Sequence, residues 1–282
     1  MTRVQMAAFD LDGTLLEHGA LTREAVSMLK ALRKSGVTVV IATGRHRGTV
    51  PLRLKNPRLV DYLICTNGAV VTATGRGQTP LFEKVLSDEE LKGLMDLGKR
   101  YDCRYAVSAG RTTFLSKTEP LRRRKTDGGS DTKKYFWRYY MYPLHARTVE
   151  SWDAFLQRPD ARAEKVICTC PDVQTDLKLR ALAGADGRFT ATGSNQAAEI
   201  TARGVSKGSA LKFLAEKLGI PREAIVAFGN DDNDLSLRDH AGRFVAARES
   251  TPAALAAADE VADSIPQAAL RLCLAQEKRA TT

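Results

Sequence analysis

Two aspartates stand one residue apart near the start of the chain, at the end of an apolar run. The run is Val4 to Phe9, and Asp10 and Asp12 follow it in A-A-F-D-L-D-G-T-L-L. This pattern predicts a buried strand with two carboxylates just past its end. Two like charges at this spacing repel each other unless a cation compensates them. Carboxylate oxygens suit Mg²⁺, which also takes phosphate oxygens, so the pair predicts a magnesium site.

Other predicted strands and helices also end or begin in polar groups. The run at 37–42 (V-T-V-V-I-A) is followed by Thr43-Gly44-Arg45, whose hydroxyl, open backbone and guanidinium suit phosphate oxygens. A later run, I-V-A-F, leads into 229–234 (G-N-D-D-N-D), a second cluster of oxygen ligands. Lys207 lies near a predicted helix start, where an anion is favoured. Because ligands bind at the carboxyl ends of parallel strands, these groups are expected to converge on one cation and one phosphate.

Strands alternate with helices at both ends of the chain, which predicts an α/β fold: a Rossmann-like doubly wound parallel sheet. The predicted core elements are a helix from Thr22 to Lys34 and another from Ser206 to Leu218, with strands at 37–42, 62–66, 224–229 and 244–246. The middle of the chain has short strands and helices near 88–100 and 175–183. We therefore expect a catalytic core of residues 1–78 plus 195–282, split by an inserted α+β cap domain at 79–194.

The ordered motifs D-x-D-G-T, T-G-R, a lysine and G-N-x-x-N-D resemble the haloacid dehalogenase-like superfamily of phosphohydrolases. I-C-T-N-G-A-V at 64–70, E-I-T-A-R-G-V-S-K-G at 199–208 and a large cap between the second and third motifs resemble its Cof-type branch. The resemblance covers about residues 1–75 and 195–265. It implies a magnesium-dependent phosphatase that hydrolyses a small phosphorylated metabolite, either a sugar phosphate or a phosphorylated cofactor.

The same resemblance implies a role for each motif residue. Asp10 would be the nucleophile that forms an aspartyl-phosphate, and Asp12 the general acid and then the general base. Arg45 would reach the substrate beyond the phosphate, and Asp234 would bind metal through water or anchor Lys207. The implied phosphate-binding set is Leu11, Thr43, Gly44, Arg45, Lys207 and Asn233, with Thr43 and Lys207 also catalytic; the implied metal set is Asp10, Asp12, Asn230 and Asp234.

Two residues depart from the family pattern. Asn230 stands where the family usually has an aspartate that binds magnesium directly, so weaker metal affinity is expected rather than loss of activity. Asp231, the next residue, is an alternative ligand, although the register favours Asn230. Arg248 stands where the family often has an asparagine; we expect a surface charge there, with a substrate contact as the alternative.

The charge leaves a second class of function open. The chain has 282 residues, 43% hydrophobic residues and a net charge of +10, which suits either anionic small substrates or nucleic acid. The segment 121–140 mixes basic and aromatic side chains, and we expect a solvated loop there, so nucleic acid is not an expected partner. The alternatives are a non-catalytic phosphate- or nucleic-acid-binding protein on a phosphatase core, and a phosphotransferase or mutase.

Apolar runs, the N-terminus and the cysteines bear on location and assembly. No run of 18 apolar residues and no leader-like N-terminus is present, so neither a membrane span nor a signal peptide is expected. The five cysteines are odd in number and scattered, which favours reduced thiols in a cytoplasm, with Cys168 and Cys170 as strand residues. The four histidines have no metal spacing. We expect a cytoplasmic monomer or weak homodimer.

Overall fold

The computed structural model describes residues 2–17, 19–75, 77, 79–118, 145–194 and 197–274; the segment 121–140 lies outside them. The strands are β1 Met6–Phe9, β2 Leu16–Glu17, β3 Ala20–Leu21, β4 Thr38–Ala42, β5 Tyr62–Cys65, β6 Val70–Ala73, β7 Phe82–Glu83, β8 Arg104–Ala109, β9 Thr112–Ser116, β10 Ala146–Val149, β11 Ala163–Thr169, β12 Phe189–Ser194, β13 Ala197–Ala202, β14 Ile225–Gly229, β15 Arg243–Ala247 and β16 Glu260–Ala262. The helices are α1 Arg23–Lys34, α2 Asp88–Lys99, α3 Trp152–Leu156, α4 Val173–Asp186, α5 Lys207–Leu218, α6 Leu235–Arg238, α7 Pro252–Ala257 and α8 Ile265–Leu274.

The chain forms two compact units. The first contains residues 1–44, 50–82 and 206–282, and the second contains residues 45–49 and 83–205. The expected domain boundaries after residues 78 and 194 stay a prediction.

The first unit is built on a sheet with strand order β16-β15-β14-β1-β4-β5-β6-β7. Neighbours from β16 to β5 are parallel, with Phe9 of β1 in register with Phe228 of β14 and Ile41 of β4. β6 runs antiparallel to β5, because the chain reverses at Asn67 and Gly68, which have φ of 57° and 104°. The predicted α/β parallel core is therefore confirmed, with an antiparallel addition at one edge.

Helices cover both faces of this sheet, as a doubly wound fold requires. On one face Leu211 and Leu214 of α5 pack in a buried cluster with strand residues such as Met6 and Val40. Successive strand residues point to opposite faces, so Ala7 and Phe9 lie under the other layer. There α1 packs against β4 and α8, and its buried side chains recur with helical spacing: Ala25, Met28, Leu29 and Leu32.

The N-terminus of α1 forms where the sequence predicts it. Thr22 is the N-cap, and its hydroxyl oxygen accepts a hydrogen bond from the backbone N–H of Ala25 at 3.1 Å. The helix ends at Lys34, after which Gly36 has a φ of 82° and turns the chain into β4. These local signals fix both ends of α1, which connects the hairpin of β2 and β3 to β4.

The second unit has its own sheet, with strand order β10-β9-β8-β11-β13-β12. Its neighbours are antiparallel apart from the parallel pair β9 and β10. Cys168 lies in β11 and Cys170 directly after it, and the sulfur of Cys170 is 3.4 Å from that of Cys103. Burial raises the pKa of the Cys168 thiol. All five cysteines are free thiols.

None of the helices in the described ranges has the length and the apolar content needed to cross a membrane.

Candidate active site

A buried lysine joins three separate parts of the first unit. The ammonium group of Lys207 donates to Asp10 Oδ1 and to Asp234 Oδ1, both at 2.7 Å, and to Asn233 Oδ1 at 3.1 Å. The side chain of Lys207 is only 1% exposed, and those of the two aspartates are 6% and 0% exposed. A charge removed from water this completely is tolerated only when it is paired and hydrogen-bonded, as it is here.

The end of β1 brings Asp10 to this lysine. The backbone N–H of Asp10 donates to the carbonyl of Phe228 at 2.8 Å, so the residue is fixed beside the end of β14. The rings of Phe9 and Phe228, which precede the two strand ends, stack with centroids 4.6 Å apart. Because β1 and β14 are parallel and in register, Asp10 and the loop after β14 lie at the same edge of the sheet.

The first turn of α5 supplies the lysine. Ser206 is the N-cap and Lys207 the first helical residue. Gly208 allows the turn to approach the segment after β14: its N–H donates to Ser236 Oγ at 3.0 Å, and a Cβ at this position would lie 1.8 Å from the Ser236 carbonyl oxygen. Gly68 makes a similar approach to Ser206, since a Cβ there would lie 2.1 Å from the Ser206 carbonyl oxygen.

The charges in this cluster shift each other's ionisation. Burial, and then the negative charge of Asp234, raise the pKa of Asp10 from 3.8 to about 7, although Lys207 opposes the shift. Burial alone would lower the pKa of Lys207, but Asp10 and Asp234 together outweigh it and hold the pKa above its ordinary value. These shifts favour the charged form of Lys207 and bring the pKa of Asp10 up toward neutral pH.

Asp234 has hydrogen-bond partners at both carboxylate oxygens. Oδ1 accepts from Lys207, and Oδ2 accepts from the backbone N–H groups of Asn230 at 2.9 Å and Asp231 at 3.1 Å. This arrangement holds Lys207 and the loop after β14 in place. Of the two roles expected for Asp234, the geometry favours the anchor of Lys207.

The side chain of Asn230 lies near Oδ2 of Asp10, the carboxylate oxygen that does not accept from Lys207. One polar atom of its amide group is 3.0 Å from the Asp12 carbonyl oxygen, 3.2 Å from Asp10 Oδ2 and 2.9 Å from Thr14 Oγ1. If this atom is the amide oxygen, then Asp10, Asp12 and Asn230 present three oxygens to one small region, which is a donor set that fits Mg²⁺. At Asp12 the backbone carbonyl faces this point, while the residue as a whole is exposed.

The acids near this point are too few to form a cation site by themselves. In the part of the chain that the structure describes, no three His, Cys, Asp or Glu side chains are grouped to hold a metal. Asp231 does not substitute for the aspartate that is missing at position 230. Its Oδ1 accepts a hydrogen bond from the backbone N–H of Asp232 at 2.7 Å and caps the next turn. The expectation that the register favours Asn230 as the ligand stays a prediction.

The remaining predicted residues divide between the two units. Thr43 is buried at the end of β4; its N–H donates to the Ile64 carbonyl at 2.8 Å and its carbonyl accepts from the N–H of Asn67 at 3.2 Å. Gly44 follows it in the first unit. Leu11 is buried in the turn after β1. Arg45 belongs to the second unit, where its guanidinium donates to the Thr49 carbonyl at 3.0 Å.

The structure adds three residues to those predicted. Asn67 adopts a left-handed conformation, and its Oδ1 accepts from Asn233 Nδ2 at 3.2 Å, which orients Asn233 toward Lys207. Thr14 contacts the Asn230 amide, and Gly13 makes room for it, because a Cβ on Gly13 would lie 2.5 Å from Asn230 Nδ2. In the sequence, Asn67 belongs to the N-G pair after β5, and Gly13 and Thr14 are the G-T that completes D-x-D-G-T.

Arg248 is a surface residue. It is 74% exposed and pairs with the equally exposed Asp263.

Comparisons with known proteins identify the family of the chain. A family model described as haloacid dehalogenase-like hydrolase matches residues 7–271. The chain is 28% identical over 267 residues to "Putative phosphatase YxeH" of Bacillus subtilis, an alignment that covers 90% of this chain and 91% of the relative. It is 26% identical over 248 residues to the HMP-PP phosphatase of Klebsiella pneumoniae, covering 85% of this chain and 82% of the relative.

Solved structures share the fold at low sequence identity. A haloacid dehalogenase-like hydrolase from B. subtilis has a TM-score of 0.82 and 20% identity, with 95% of this chain and 99% of that chain covered. A sugar phosphatase of subclass IIB has a TM-score of 0.75 and 20% identity, with 99% of this chain and 100% of that chain covered. The chain thus belongs to the haloacid dehalogenase-like hydrolase family, as an enzyme of its Cof-type phosphatase branch.

Proposed function

We propose that this protein is a magnesium-dependent phosphatase that hydrolyses a small phosphorylated metabolite through an aspartyl-phosphate on Asp10. The observation that carries the proposal is the position of the Lys207 ammonium, 2.7 Å from both Asp10 Oδ1 and Asp234 Oδ1 at the end of β1. A permanent cation held against a carboxylate at a strand end is the arrangement that phosphoryl transfer to that carboxylate needs.

Asp10 is the proposed nucleophile. Its carboxylate attacks phosphorus, so that an aspartyl O–P bond forms as the ester P–O bond breaks. The buried setting and the fixed backbone support this role, because an ordered nucleophile loses little freedom on reaction. Its pKa of about 7 places the reactive carboxylate in reach of neutral pH, and an added positive charge would favour it further.

Asp12 is the proposed general acid and base. It donates a proton to the leaving oxygen in the first step, and in the second step it accepts a proton from the water that cleaves the aspartyl-phosphate and releases inorganic phosphate. Its exposure supports the role, since a proton shuttle must exchange with solvent and substrate. It follows Asp10 by two residues on the turn after β1.

The phosphoryl group is the proposed ligand of Lys207, Thr43, Asn233 and the backbone that follows Asp10. Lys207 supplies a full charge, and Asn233 is oriented toward the same point by Asn67. Oxygens of Asp10, Asp12 and Asn230 would hold Mg²⁺, which would neutralise charge on the phosphoryl group and orient it. Asp234 would keep Lys207 in position rather than bind the metal.

The proposed substrate class is a sugar phosphate or a phosphorylated cofactor. The names of two similar proteins support it: one is an HMP-PP phosphatase and one a sugar phosphatase. We also propose a cytoplasmic location, which the five free cysteines support, because thiols stay reduced there.

The experiment that tests the proposal is phosphate release from a panel of phosphorylated metabolites, with and without Mg²⁺. The panel includes sugar phosphates, phosphorylated cofactors and HMP-PP, and compares the wild type with Asp10→Asn. Asp232→Asn is the matched control, because Asp232 is an exposed residue of the same region whose Oδ1 accepts from Thr251 Oγ1 at 2.8 Å, a bond that an amide oxygen keeps.

Turnover that requires Mg²⁺, falls at least about a thousandfold in Asp10→Asn and persists in Asp232→Asn is the expected result. No turnover on any substrate would favour a non-catalytic phosphate binder. Transfer of the phosphoryl group to a sugar hydroxyl instead of water would favour a phosphotransferase or mutase. Equal turnover in wild type and Asp10→Asn would refute the assigned nucleophile.

A further inference from the structure

Ser236, in α6, connects the segment that carries Asn233 to the helix that carries Lys207. Its hydroxyl oxygen accepts a hydrogen bond from the backbone N–H of Gly208 at 3.0 Å. The same hydroxyl donates to the carbonyl oxygen of Asn233 at 3.2 Å. A serine hydroxyl can make both bonds at once, because it has one proton and two lone pairs. Ser236 therefore joins the first turn of α5 to the loop after β14.

These two bonds complete a closed ring of contacts. The ammonium of Lys207 donates to Asn233 Oδ1 at 3.1 Å, which links the two side chains directly. The Asn233 carbonyl accepts from Ser236, and Ser236 accepts from Gly208. Gly208 follows Lys207 in the chain, so the ring returns to its starting residue. Lys207 and Asn233 cannot move apart unless one of the bonds in this ring breaks.

The hydroxyl of Ser236 takes the place of an acceptor that α5 cannot supply. The first N–H groups of a helix have no partner within the helix, and Gly208 is the second residue of α5. The N-cap Ser206 serves a different group, because its Oγ accepts from the N–H of Ser209 at 3.0 Å. The two segments also approach closely here, since a Cβ on Gly208 would lie 1.8 Å from the Ser236 carbonyl oxygen.

We propose that Ser236 is a positioning residue for the phosphoryl site: through this ring it holds Lys207 and Asn233 at the separation at which both contact the phosphoryl group. This inference rests on the proposed function. Ser236 acts through the two other residues, because its hydroxyl is engaged by backbone groups. Positions of this kind matter to the rate, since a displacement of about 1 Å can cost about a hundredfold.

The substitution Ser236→Ala removes the hydroxyl and opens the ring. Alanine suits a helix, so the variant is expected to fold. We expect kcat to fall by about ten- to a hundredfold, because Lys207 and Asn233 stabilise charge on the transferring group less well when they are misplaced. The Kd for inorganic phosphate should rise by about threefold or more. A merely structural role would lower the melting temperature but leave kcat and this Kd unchanged in the folded enzyme.

The test measures kcat, on the best substrate of the panel, and the calorimetric Kd of inorganic phosphate, both in Mg²⁺ and well below the melting temperature of each protein. Ser35→Ala is the matched control, because the hydroxyl of this half-buried serine also donates to the carbonyl three residues earlier, that of Leu32, at 2.8 Å. The control should match the wild type. A Ser236→Ala protein within about twofold of Ser35→Ala in both constants overturns the proposal.

A double-mutant cycle tests whether Ser236 acts through the ring. Asn233→Ala removes the bond to Lys207 and therefore opens the ring at another point. In that background, Ser236→Ala should lower kcat by less than about threefold, because no closed ring is left to break. If the two losses multiply in full, the residues act independently and the ring is overturned.

Phosphate binding separates a failure of this inference from a failure of the proposed function. If the wild type hydrolyses no substrate, the proposed function fails, and the Kd of inorganic phosphate alone decides the role of Ser236. Weaker binding by Ser236→Ala than by Ser35→Ala then supports the positioning role. Equal binding by the two variants, or no binding by the wild type, overturns it.

Discussion

Replacement of Lys207 by methionine tests the charge balance on which the site depends. The variant keeps the length and most of the helix propensity of the side chain but removes the ammonium that contacts Asp10 and Asp234. Both carboxylates are almost fully buried, so Asp234 is left charged without its ammonium partner, while Asp10, whose raised pKa Lys207 had opposed, takes up a proton. Breaking a buried pair costs about 3–5 kcal/mol of unfolding free energy, a large part of the 5–15 kcal/mol typical of a protein.

The expected result is a fall in melting temperature of roughly 6–20 °C at neutral pH, measured by circular dichroism in EDTA. Lys212→Met is the matched control on the same helix, because Lys212 is 58% exposed and its Nζ lies 3.8 Å from Glu216 Oε1. Such surface pairs contribute about 0–1 kcal/mol. The loss of unfolding free energy in Lys207→Met, relative to the wild type, should become smaller at acid pH, because the carboxylates that have lost the ammonium bind protons in the folded state. A Lys207→Met protein within about 1 kcal/mol of Lys212→Met at neutral pH would refute the reasoning.

Two further predictions follow from the same geometry. Burial, and then Asp234, raise the pKa of Asp10 to about 7, so between pH 4 and pH 7 the folded chain holds a proton that the unfolded chain has lost. In EDTA, the unfolding free energy of the wild type should therefore fall relative to that of Asp10→Asn as the pH rises through this range, by on the order of a few kcal/mol. Urea titrations at pH 4.5 and 7.5 measure it. The prediction is contradicted if the difference in unfolding free energy between the two proteins is the same at both pH values. Gly208→Ala should destabilise the protein by about 1–3 kcal/mol, since its Cβ would meet the Ser236 carbonyl at 1.8 Å, whereas Gly184→Ala, in open space on α4, should stabilise it by about 0.5–1 kcal/mol. Equal effects of the two alanines on the urea midpoint would show that the close approach at Gly208 is not rigid.

Much of the core was predictable because local sequence signals mark where its strands and helices begin and end. The apolar run before Asp10, the N-cap Thr22 and the β-branched run before Thr43 each specify an element within one or two residues of its observed bounds. Parallel pairing then places the ends of β1, β4 and β14 at one edge, whatever the details of the loops. Lys207 was predictable for the same reason, as the first residue after the N-cap Ser206.

The role of Asn67 was not predictable from its neighbours. An N-G pair after a strand predicts a turn, and the turn is present with Asn67 at φ 57°. The bond from Asn233 Nδ2 to Asn67 Oδ1 joins residues 166 positions apart in sequence, and no local pattern encodes it. The ladder of parallel strands brings the two loops together, so this contact depends on the register of the whole sheet.

Backbone contacts distinguish Asn230 from Asp231, which composition alone does not. Both side chains carry suitable oxygens, and a shift of one residue would exchange them. The bond from the Thr251 N–H to the Asn230 carbonyl fixes the loop, and the cap on Asp232 occupies the Asp231 carboxylate. Asp10 and Asp234 are paired with Lys207. The charge that Asn230 lacks, compared with an aspartate, would therefore be missing only from the side of Asp10 where the cation is proposed to bind. Asn230 lowers the expected metal affinity but does not contact Lys207, the proposed phosphate ligand, so metal affinity and phosphate binding should change independently in Asn230→Asp.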